Sequence, residues 1–501
     1  MNHLYFHQFE PKSANGPLVV LTVQPLLLLG AVAAPLSFSS ILETYVVFIL
    51  ALCSSIVVYR LSPFHPLAHI PGPTVNKITK LWGAWVSSGG DQHRVNKALH
   101  DKYGPFVRTG PNEVSIIHVD AVRAVLGTGG FQKGQYYEPR TDPTLSTRSL
   151  LTLRNEAHAN RRRIWNRGMS SESLQEYESI LAKRVTQLVD RLEGLCGTVD
   201  IAEWFSYFTF DFMGDMAFGG GNIAVVSHIP WLVPTLYKIP MATRGLKELR
   251  QFGATCATNR IKTGSQVKDL WYHLMDEAGM EKEQPSFAEV VADGVLSIIA
   301  GSDTTAIALS SFVWFILSNP EAYQRVQAEV DSVYPDGESL LDISKHSELR
   351  FLTACLNETL RLHPPVPTNG TRQVPKGGGK LIADRFIPEN TQIYIPPYSL
   401  HRSPGNFFPG PDQFDPDRWL RKQRPDDVLN LAAFIPFSAG AANCVGKSLA
   451  WREMLMVSSS VLKKFELRFA DDFQSKDWLD KLQDVFVTSI GGPLLVELSL
   501  R

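Results

Sequence analysis

Near its C-terminus the chain reads Phe437-Ser438-Ala439-Gly440-Ala441-Ala442-Asn443-Cys444-Val445-Gly446, and the amphipathic run 447–465 follows. A lone cysteine, Cys444, therefore lies in a loop of small residues just where a helix is predicted to begin. Backbone N–H groups at the start of a helix favour the thiolate form of a cysteine. We expect this sulfur to bind a metal from one side.

The other four cysteines bear on which metal that is. Cys53, Cys196, Cys256 and Cys355 are scattered without C-x-x-C spacing. The sequence therefore offers neither a four-cysteine zinc site nor an iron–sulfur cluster. One thiolate without protein co-ligands indicates haem iron, because the porphyrin supplies the other four ligands.

The cysteine loop resembles the haem-binding signature of the cytochrome P450 family, Phe-x-x-Gly-x-(Arg)-x-Cys-x-Gly. Phe437, Gly440, Cys444 and Gly446 match it, whereas Ala442 stands where the family has a basic residue. The resemblance implies haem b (iron protoporphyrin IX) as the cofactor and Cys444 as the iron ligand. It also implies that Phe437 shields the sulfur.

A long apolar helix is predicted upstream of this loop. It begins at the capping box Ser286-Phe287-Ala288-Glu289 and runs through 290–317 to Pro320, which ends it. About thirty residues at 1.5 Å each give a helix of roughly 45 Å, long enough to cross the whole body. Acidic and hydroxyl residues in its middle favour burial in protein over a membrane span.

Residues 300–305 of this helix read AGSDTT and resemble the family's oxygen-activation motif. Ala300 and Gly301 carry no bulk, so a flat macrocycle can approach the helix backbone. Asp303 and Thr304 offer an acid and a hydroxyl, which can deliver the two protons needed to break the O–O bond of dioxygen. We predict the first two as cofactor contacts and the second two as catalytic residues. The alternative is a kinked helix with a surface Asp-Thr pair.

Cations or donors for the two haem propionates are expected at three positions. His158 and Arg162 are four residues apart, hence on one helix face, and resemble the family's propionate-binding pair. Arg372 resembles the second cation. Arg161 and Arg163 are expected to point elsewhere, toward an acidic redox partner or toward solvent.

A buried ionic core is predicted beneath the haem. Glu358 and Arg361 form a Glu-x-x-Arg pair on one helix face, and Arg418 lies in the segment 411–419 at the spacing that the family uses for a third member. The resemblance implies that Arg418 clamps the same carboxylate. Its role would be structural, because a buried carboxylate between two guanidinium groups locks the surrounding chain.

Size and charge bound the function. The chain has 501 residues, of which 44% are hydrophobic, so it can bury a large core. Lys and Arg number 49 against 50 Asp and Glu, which argues against nucleic acid as the main partner. Five cysteines in so long a chain indicate a reduced, cytosol-facing body without a disulfide framework.

The N-terminus is predicted to hold a membrane anchor. Residues 41–59 read ILETYVVFILALCSSIVVY, about long enough to cross a bilayer as a helix, with a buried core helix as the alternative. The apolar stretch 17–36 is interrupted by two prolines and stays open as a second span, a re-entrant piece or a leader. More basic residues follow the span than precede it. This pattern predicts a catalytic domain facing the cytosol, and the resemblance implies the endoplasmic reticulum membrane.

These features divide the chain into three parts. Residues 1–60 form a hydrophobic region with the anchor, 61–75 a proline-rich hinge, and 76–501 the haem-thiolate catalytic domain. Prolines at 63, 66, 71 and 73 stop a helix and predict a stiff, extended connector.

Smaller elements are predicted within the catalytic domain. A β-hairpin is expected at 106–118, a strand pair at 386–397 and a last hairpin at 485–498, split by Gly491-Gly492. Between Gly219 and Pro230 little room is left for the helix that roofs the substrate cavity in the family. Either the roof is built differently, from residues 229–239, or a coding segment has been lost.

The sequence thus predicts a mainly α protein with small β-sheets, the cytochrome P450 fold with its long central helix over the haem. The resemblance implies a monooxygenase that uses O2 and electrons from an NADPH-cytochrome reductase. An apolar cavity and a membrane anchor imply a lipophilic substrate, such as a terpenoid or other secondary metabolite. Two alternatives stay open: the same fold without monooxygenation (isomerase, dehydratase or peroxygenase), and an inactive haem-poor protein.

Overall fold

The structure is a computed structural model that describes residues 3, 15–31, 37–141, 147–216, 251, 254–255, 258–260 and 268–501. The predicted short roof after Gly219 lies outside these residues. Helices dominate the described chain and the strands are short, which confirms the prediction of a mainly α fold with small sheets.

The helices of the N-terminal half are α1 (Asn15–Ala31), α2 (Phe38–Leu61), α3 (Thr74–Ile78), α4 (Leu81–Ser88), α5 (Gln92–Tyr103), α6 (Val119–Ala121), α7 (Asn155–Gly168), α8 (Ser171–Glu176), α9 (Glu178–Leu195) and α10 (Ile201–Met216). Those of the C-terminal half are α11 (Leu270–Leu274), α12 (Phe287–Leu317), α13 (Pro320–Val333), α14 (Arg350–Leu362), α15 (Pro397–His401), α16 (Lys447–Lys464) and α17 (Ser475–Asp480).

The strands are β1 (Phe106–Gly110), β2 (Glu113–Ile116), β3 (Gln132–Lys133), β4 (Gly197–Asp200), β5 (Arg372–Gln373), β6 (Lys380–Ile382), β7 (Arg385–Ile387), β8 (Gln392–Tyr394), β9 (Phe407–Phe408), β10 (Val428–Leu429), β11 (Phe465–Phe469), β12 (Gln483–Val485), β13 (Val487–Ser489) and β14 (Leu495–Leu500). The largest sheet has the order β1-β2-β8-β5-β3, and the predicted hairpin at 106–118 is its β1–β2 pair.

Two strand pairings differ from the sequence prediction. Strands β7 and β8 do not pair with each other, because β7 pairs with β6 while β8 lies between β2 and β5. The last hairpin is β12–β13, and β14 instead joins β11 and β4. Gly491 lies so close to the Lys481 carbonyl that a side chain would overlap it. The chain then continues into β14, the middle strand of the three-stranded sheet β11-β14-β4.

Two described helices are long and apolar enough to cross a membrane. The first, α2, has a mean hydropathy of 2.3 with none of its apolar window buried, and the second, α12, has 1.4 with 67% of the window buried. Helix α12 is therefore the core helix of the body. It starts at the predicted capping box, in which Ser286 and Glu289 bond each other's backbone N–H groups, and it packs along α10.

The segment between α2 and α3 forms successive turns, not the extended connector that its prolines predict. The N–H groups of His65, Ala68 and Ile70 each donate to the carbonyl three residues back. The buried guanidinium of Arg108, on β1, donates to the Pro111 carbonyl at 2.9 Å and contacts His65 Nε2 at 3.1 Å. Proline stops a helix here, but the other residues keep enough N–H groups to close turns.

Below α12 lies the ionic core. The Glu358 carboxylate, fully buried, accepts two hydrogen bonds of 2.8 Å from Arg361 and one of 3.4 Å from Arg418. Trp419 Nε1 and the Asp415 N–H complete its shell at 3.0 Å each. The carboxylate thus ties α14 to the segment that carries Arg418.

The ionic core also reaches the cysteine loop. Arg361 donates to the carbonyl of His401 at 2.8 Å, and His401 Nε2 accepts the Ile435 N–H at 2.9 Å. Because Nε2 accepts, the proton of the neutral ring is on Nδ1, which donates to the Arg361 carbonyl. Burial and the nearby Arg361 lower the pKa of His401 to about 3, which keeps the ring neutral.

A close backbone approach fixes the cysteine loop from the other side. Gly440 has φ of 70°, and a Cβ at this position would overlap the carbonyl oxygen of Leu126. The Cys444 N–H then donates to the Phe437 carbonyl at 2.8 Å, which closes the loop. Glycine is required here both by the left-handed backbone and by the lack of space.

Replacing Glu358 with glutamine should lower the free energy of unfolding by about 3–5 kcal/mol, because two buried guanidinium groups would lose their counter-charge. Asp471→Asn is the matched control, since it removes a carboxylate paired with Arg468 on the surface and should cost less than about 1 kcal/mol. Urea unfolding of the full chain measures both. Equal losses in the two variants would contradict this account of the ionic core.

Gly440→Ala should destabilise the protein by more than the roughly 1–2 kcal/mol of a left-handed alanine, because the Leu126 carbonyl must also move. Gly405→Ala, in the turn 403–406 with only Ser403 Oγ at 3.7 Å from the added Cβ, is the control. Thermal unfolding of both variants checks this, and matching midpoints would show that the loop adjusts freely.

Candidate active site

A cavity of about 1060 Å³ lies inside the protein between the cysteine loop, helix α12 and the neighbouring elements α7, β5 and the β12–β13 hairpin. It brings together nearly all the site residues predicted from the sequence. Those that line it are His158, Arg162, Ala300, Gly301, Asp303, Thr304, Arg372, Phe437, Cys444 and Gly446. Gly440 does not line it and instead packs against Leu126.

The Cys444 side chain is exposed, but to this internal cavity. Burial within the protein raises the pKa of its thiol, although a hydrogen bond from the Gly446 N–H and the cations of Arg162 and Lys447 act in the opposite direction. The Gly446 N–H thus favours the thiolate as expected, but desolvation outweighs it in the protein alone, so the net pKa of the Cys444 thiol is raised. A bound metal removes the thiol proton outright.

A basic group occupies one wall of the cavity. His158 is half-buried, and burial together with Lys133, Arg162 and Arg372 lowers its pKa to about 4. His158 is therefore neutral at physiological pH and offers a hydrogen bond rather than a charge. Arg372 is 5% exposed, and its Nε atom has no hydrogen-bond partner in the described structure.

Arg162 has an additional role that the sequence did not suggest. Its two terminal nitrogens donate to the backbone carbonyl and the side-chain oxygen of Asn443, each at 2.6 Å, and its Nε donates to Asn166 at 2.8 Å. Helix α7 thereby holds the residue next to Cys444. This bidentate contact orients the loop that carries the Cys444 sulfur.

The two arginines beside Arg162 do not form the exposed pair that was expected. Arg161 is buried and contacts the carboxylates of Glu289 and Asp293 on α12, so it cannot meet a redox partner. The reason is that Arg161 lies on the face of α7 that is turned toward the start of α12. Arg163 is exposed and pairs with Glu281.

Helix α12 presents its acid and hydroxyl to the cavity. The Thr304 hydroxyl donates to the Ala300 carbonyl at 2.6 Å, so its lone pairs and not its hydrogen face the cavity. Burial raises the pKa of Asp303, whose side chain opens onto the same space. Such hydroxyl bonds to the preceding turn weaken and bend a helix.

Gly301 has a second neighbour besides the cavity. An added Cβ at Gly301 would overlap the thioether of Met213 on α10. Glycine at this position therefore also allows α10 and α12 to pack closely, which the sequence motif alone did not indicate.

Sequence reasoning missed one acid in the cavity wall. Glu453, on α16, is 1% exposed, contacts the Thr305 hydroxyl and leaves Oε1 without a hydrogen-bond partner in the described structure. Burial raises its pKa well above the ordinary value, which favours the protonated form of this carboxyl group. A carboxylate within an apolar helix face, nine residues after Cys444, was the available signal.

Sequence reasoning also missed Lys133, a buried residue of the cavity wall. The loop 127–149 showed no periodicity, so the two-residue strand β3 that carries this lysine gave no signal. Its neighbours on the wall come from distant parts of the chain.

The chain matches the sequence model described as Cytochrome P450 over residues 71–223 and 222–494. Its curated relatives include fungal enzymes. It is 31% identical to tryprostatin B 6-hydroxylase from Aspergillus fumigatus over 90% of this chain and 83% of that protein. It is 32% identical to cytochrome P450 monooxygenase FCK2 from Fusarium pseudograminearum, over 89% and 84%.

A third relative is trichothecene C-15 hydroxylase from Fusarium sporotrichioides, 31% identical over 85% of this chain and 92% of that protein. The match extends across the cysteine loop, the long helix and the ionic core together. The chain therefore belongs to the cytochrome P450 family of oxidoreductases, a family that uses a haem cofactor.

Proposed function

We propose that this protein is a membrane-anchored haem-thiolate monooxygenase that hydroxylates a lipophilic small molecule. The overall reaction is RH + O2 + NADPH + H+ → ROH + H2O + NADP+, with electrons passed from an NADPH-cytochrome reductase. One observation carries the proposal: the Cys444 thiol and the Asp303–Thr304 pair, on two separate elements, open onto the same cavity. The carboxylate and hydroxyl of that pair count against an isomerase or dehydratase, which need no proton delivery to dioxygen.

The cavity wall fits iron protoporphyrin IX. A thiol opens onto the cavity as a single metal ligand, and the cavity is also lined by Arg372, whose buried Nε atom has no hydrogen-bond partner in the described structure. Buried polar atoms are seldom left unpaired, so the Arg372 Nε atom indicates a missing acceptor such as a propionate. When bound, the haem supplies the redox chemistry with O2.

The residues around the sulfur prepare it for a metal. The Gly446 N–H donates to the Cys444 sulfur, and Arg162 fixes Asn443 beside it. Phe437, half-buried with Lys447 5.9 Å above its ring, lines the same cavity as Cys444, and its proposed role is to shield the sulfur. These contacts hold the ligand in one orientation before any metal arrives.

Three side chains handle protons in the proposal. Thr304 Oγ1 is released for proton transfer when its bond to the Ala300 carbonyl opens, and Asp303 holds a proton more readily than an ordinary aspartate because burial raises its pKa. Burial raises the pKa of Glu453, which favours a proton on this carboxyl group near Thr305. Together they can supply acid equivalents to the cavity without admitting bulk water.

The lining supports a lipophilic substrate. Apolar side chains of α12 dominate the cavity beyond the acid–hydroxyl pair, and apolar tips of other loops join them. They include Val291, Val295, Leu296, Ile299, Val366 and Val487. Relatives named as hydroxylases of tryprostatin B and trichothecene are consistent with a terpenoid or other secondary metabolite as the substrate.

We further propose that α2 anchors the catalytic domain, residues 76–501, to the endoplasmic reticulum membrane on its cytosolic side. The helix is apolar, and its exposed large side chains include Phe38 and Val58. Arg60 lies in its last turn, on the side of the catalytic domain, as expected for a cytosolic flank.

Cys444→Ala should abolish the Soret band of the carbon monoxide complex at the thiolate position in the reduced protein, because no other described cysteine lines the cavity. Cys196→Ala, which changes an exposed cysteine elsewhere, should keep that band. Persistence of the thiolate band in the first variant would exclude Cys444 as the ligand.

Thr304→Ala should raise the ratio of hydrogen peroxide released to product formed severalfold. The reason is that the variant lacks the hydroxyl proposed to deliver protons within the cavity. Thr304→Ser retains the hydroxyl and should restore most of the coupling. Peroxide and product are assayed in the same turnover reaction with reductase and NADPH. Unchanged coupling in the alanine variant would remove Thr304 from the proton path.

A further inference from the structure

Two buried cations lie directly opposite each other on the cavity wall. Lys133 on β3 and Arg372 on β5 are paired residues of neighbouring antiparallel strands, 8% and 5% exposed. Both line the cavity. Like charges opposite each other across two strands repel, and the repulsion is strong where water does not screen it.

No acid in the described structure relieves this repulsion. Lys133 Nζ donates to the Leu150 carbonyl at 2.8 Å and lies 5.9 Å over the Tyr137 ring. Arg372 leaves Nε without a hydrogen-bond partner, and no described carboxylate forms an ion pair with either residue. By contrast, Arg148 and Arg154 nearby share the carboxylate of Glu138.

The other basic residues of this wall do not need an anion to the same degree. His158 is neutral, and the guanidinium of Arg162 has acceptors on Asn443 and Asn166. Ala442, which lines the same cavity, contributes no charge. Lys133 and Arg372 thus carry positive charge in this wall that no described carboxylate pairs with.

We propose that Lys133, paired with Arg372, binds the carboxylates of the porphyrin. This lysine would provide the positive charge that Ala442, at the family's basic position, does not supply. The inference rests on the proposed haem-thiolate function. An anionic porphyrin edge would turn the repulsive strand pair into a charge-assisted site. Lys133 acts here as a cofactor-binding residue that holds the porphyrin in place, with no part in the chemistry.

The protonation of Lys133 supports this geometry. In the protein alone, burial first and then the cations of Arg372, Arg162 and Arg154 lower the pKa of Lys133 to about 7. The groups facing it are these arginines, the neutral His158 and the Tyr137 ring. Porphyrin carboxylates would raise this pKa, so binding takes up a proton. Affinity should therefore be greatest below pH 7 and fall as the pH rises toward the pKa of the loaded state.

The test is the rate at which the holoenzyme loses haem to excess apomyoglobin. Lys133→Met should lose haem roughly 10- to 100-fold faster than the unaltered protein, as expected for the loss of a charged hydrogen bond. Lys133→Arg should restore most of the retention. Lys80→Met is the matched control, because Lys80 also lies over a tyrosine ring, at 6.0 Å, but pairs with Glu113 outside the cavity.

A second arm separates binding from a merely structural role. Each protein is reconstituted with iron protoporphyrin IX and with its dimethyl ester, which carries no carboxylates. The difference between the unaltered protein and Lys133→Met should vanish with the ester. Equal retention of ordinary haem by both proteins, or an equal difference with both porphyrins, would overturn the proposal. If the unaltered protein takes up no haem with a thiolate Soret band, the proposed function itself fails.

Discussion

The charge interaction around Glu358 is the constraint on which the rest of the structure depends. A fully buried carboxylate is held by Arg361, Arg418 and Trp419, and each of these groups comes from a segment that must take its place beneath the cavity. Burying three charges is costly, so the arrangement adds little net stability of its own. Its effect is that moving any one segment out of place would leave a buried charge without a partner, at a high cost in free energy. The charges therefore favour a single arrangement of these segments.

The ionic core positions the cysteine loop through hydrogen bonds whose donors and acceptors are fixed. His401 accepts from Ile435 and donates to Arg361, so the loop receives its orientation from a neutral ring. Helix α7 adds a second restraint through Arg162 and Asn443. Gly440 adds a third by packing backbone on backbone. A metal ligand on a loop of small residues needs such support, because the loop has few side chains of its own to pack.

The sequence predicted the parts whose chemistry is local. The capping box of the long helix, the Glu358–Arg361 pair and the residues around Cys444 follow from spacing or from family motifs, and the structure places them as described. It could not predict contacts between distant segments. Lys133 and Arg372 meet only because β3 and β5 pair, and Glu453 reaches the cavity only because α16 packs on α12. The buried Arg161 and the altered strand partners β7 and β14 have the same cause, since tertiary packing decides which face of an element is covered.

Arg361 donates to main-chain carbonyl oxygens, those of His401, Pro411 and Gln413, in addition to its carboxylate partner. A guanidinium that recognises peptide groups is indifferent to the side chains those residues carry. The backbone path of this segment beneath the cavity can therefore be conserved while most of its residues are substituted. Distant relatives would then keep the shape of this region long after their residues have ceased to align.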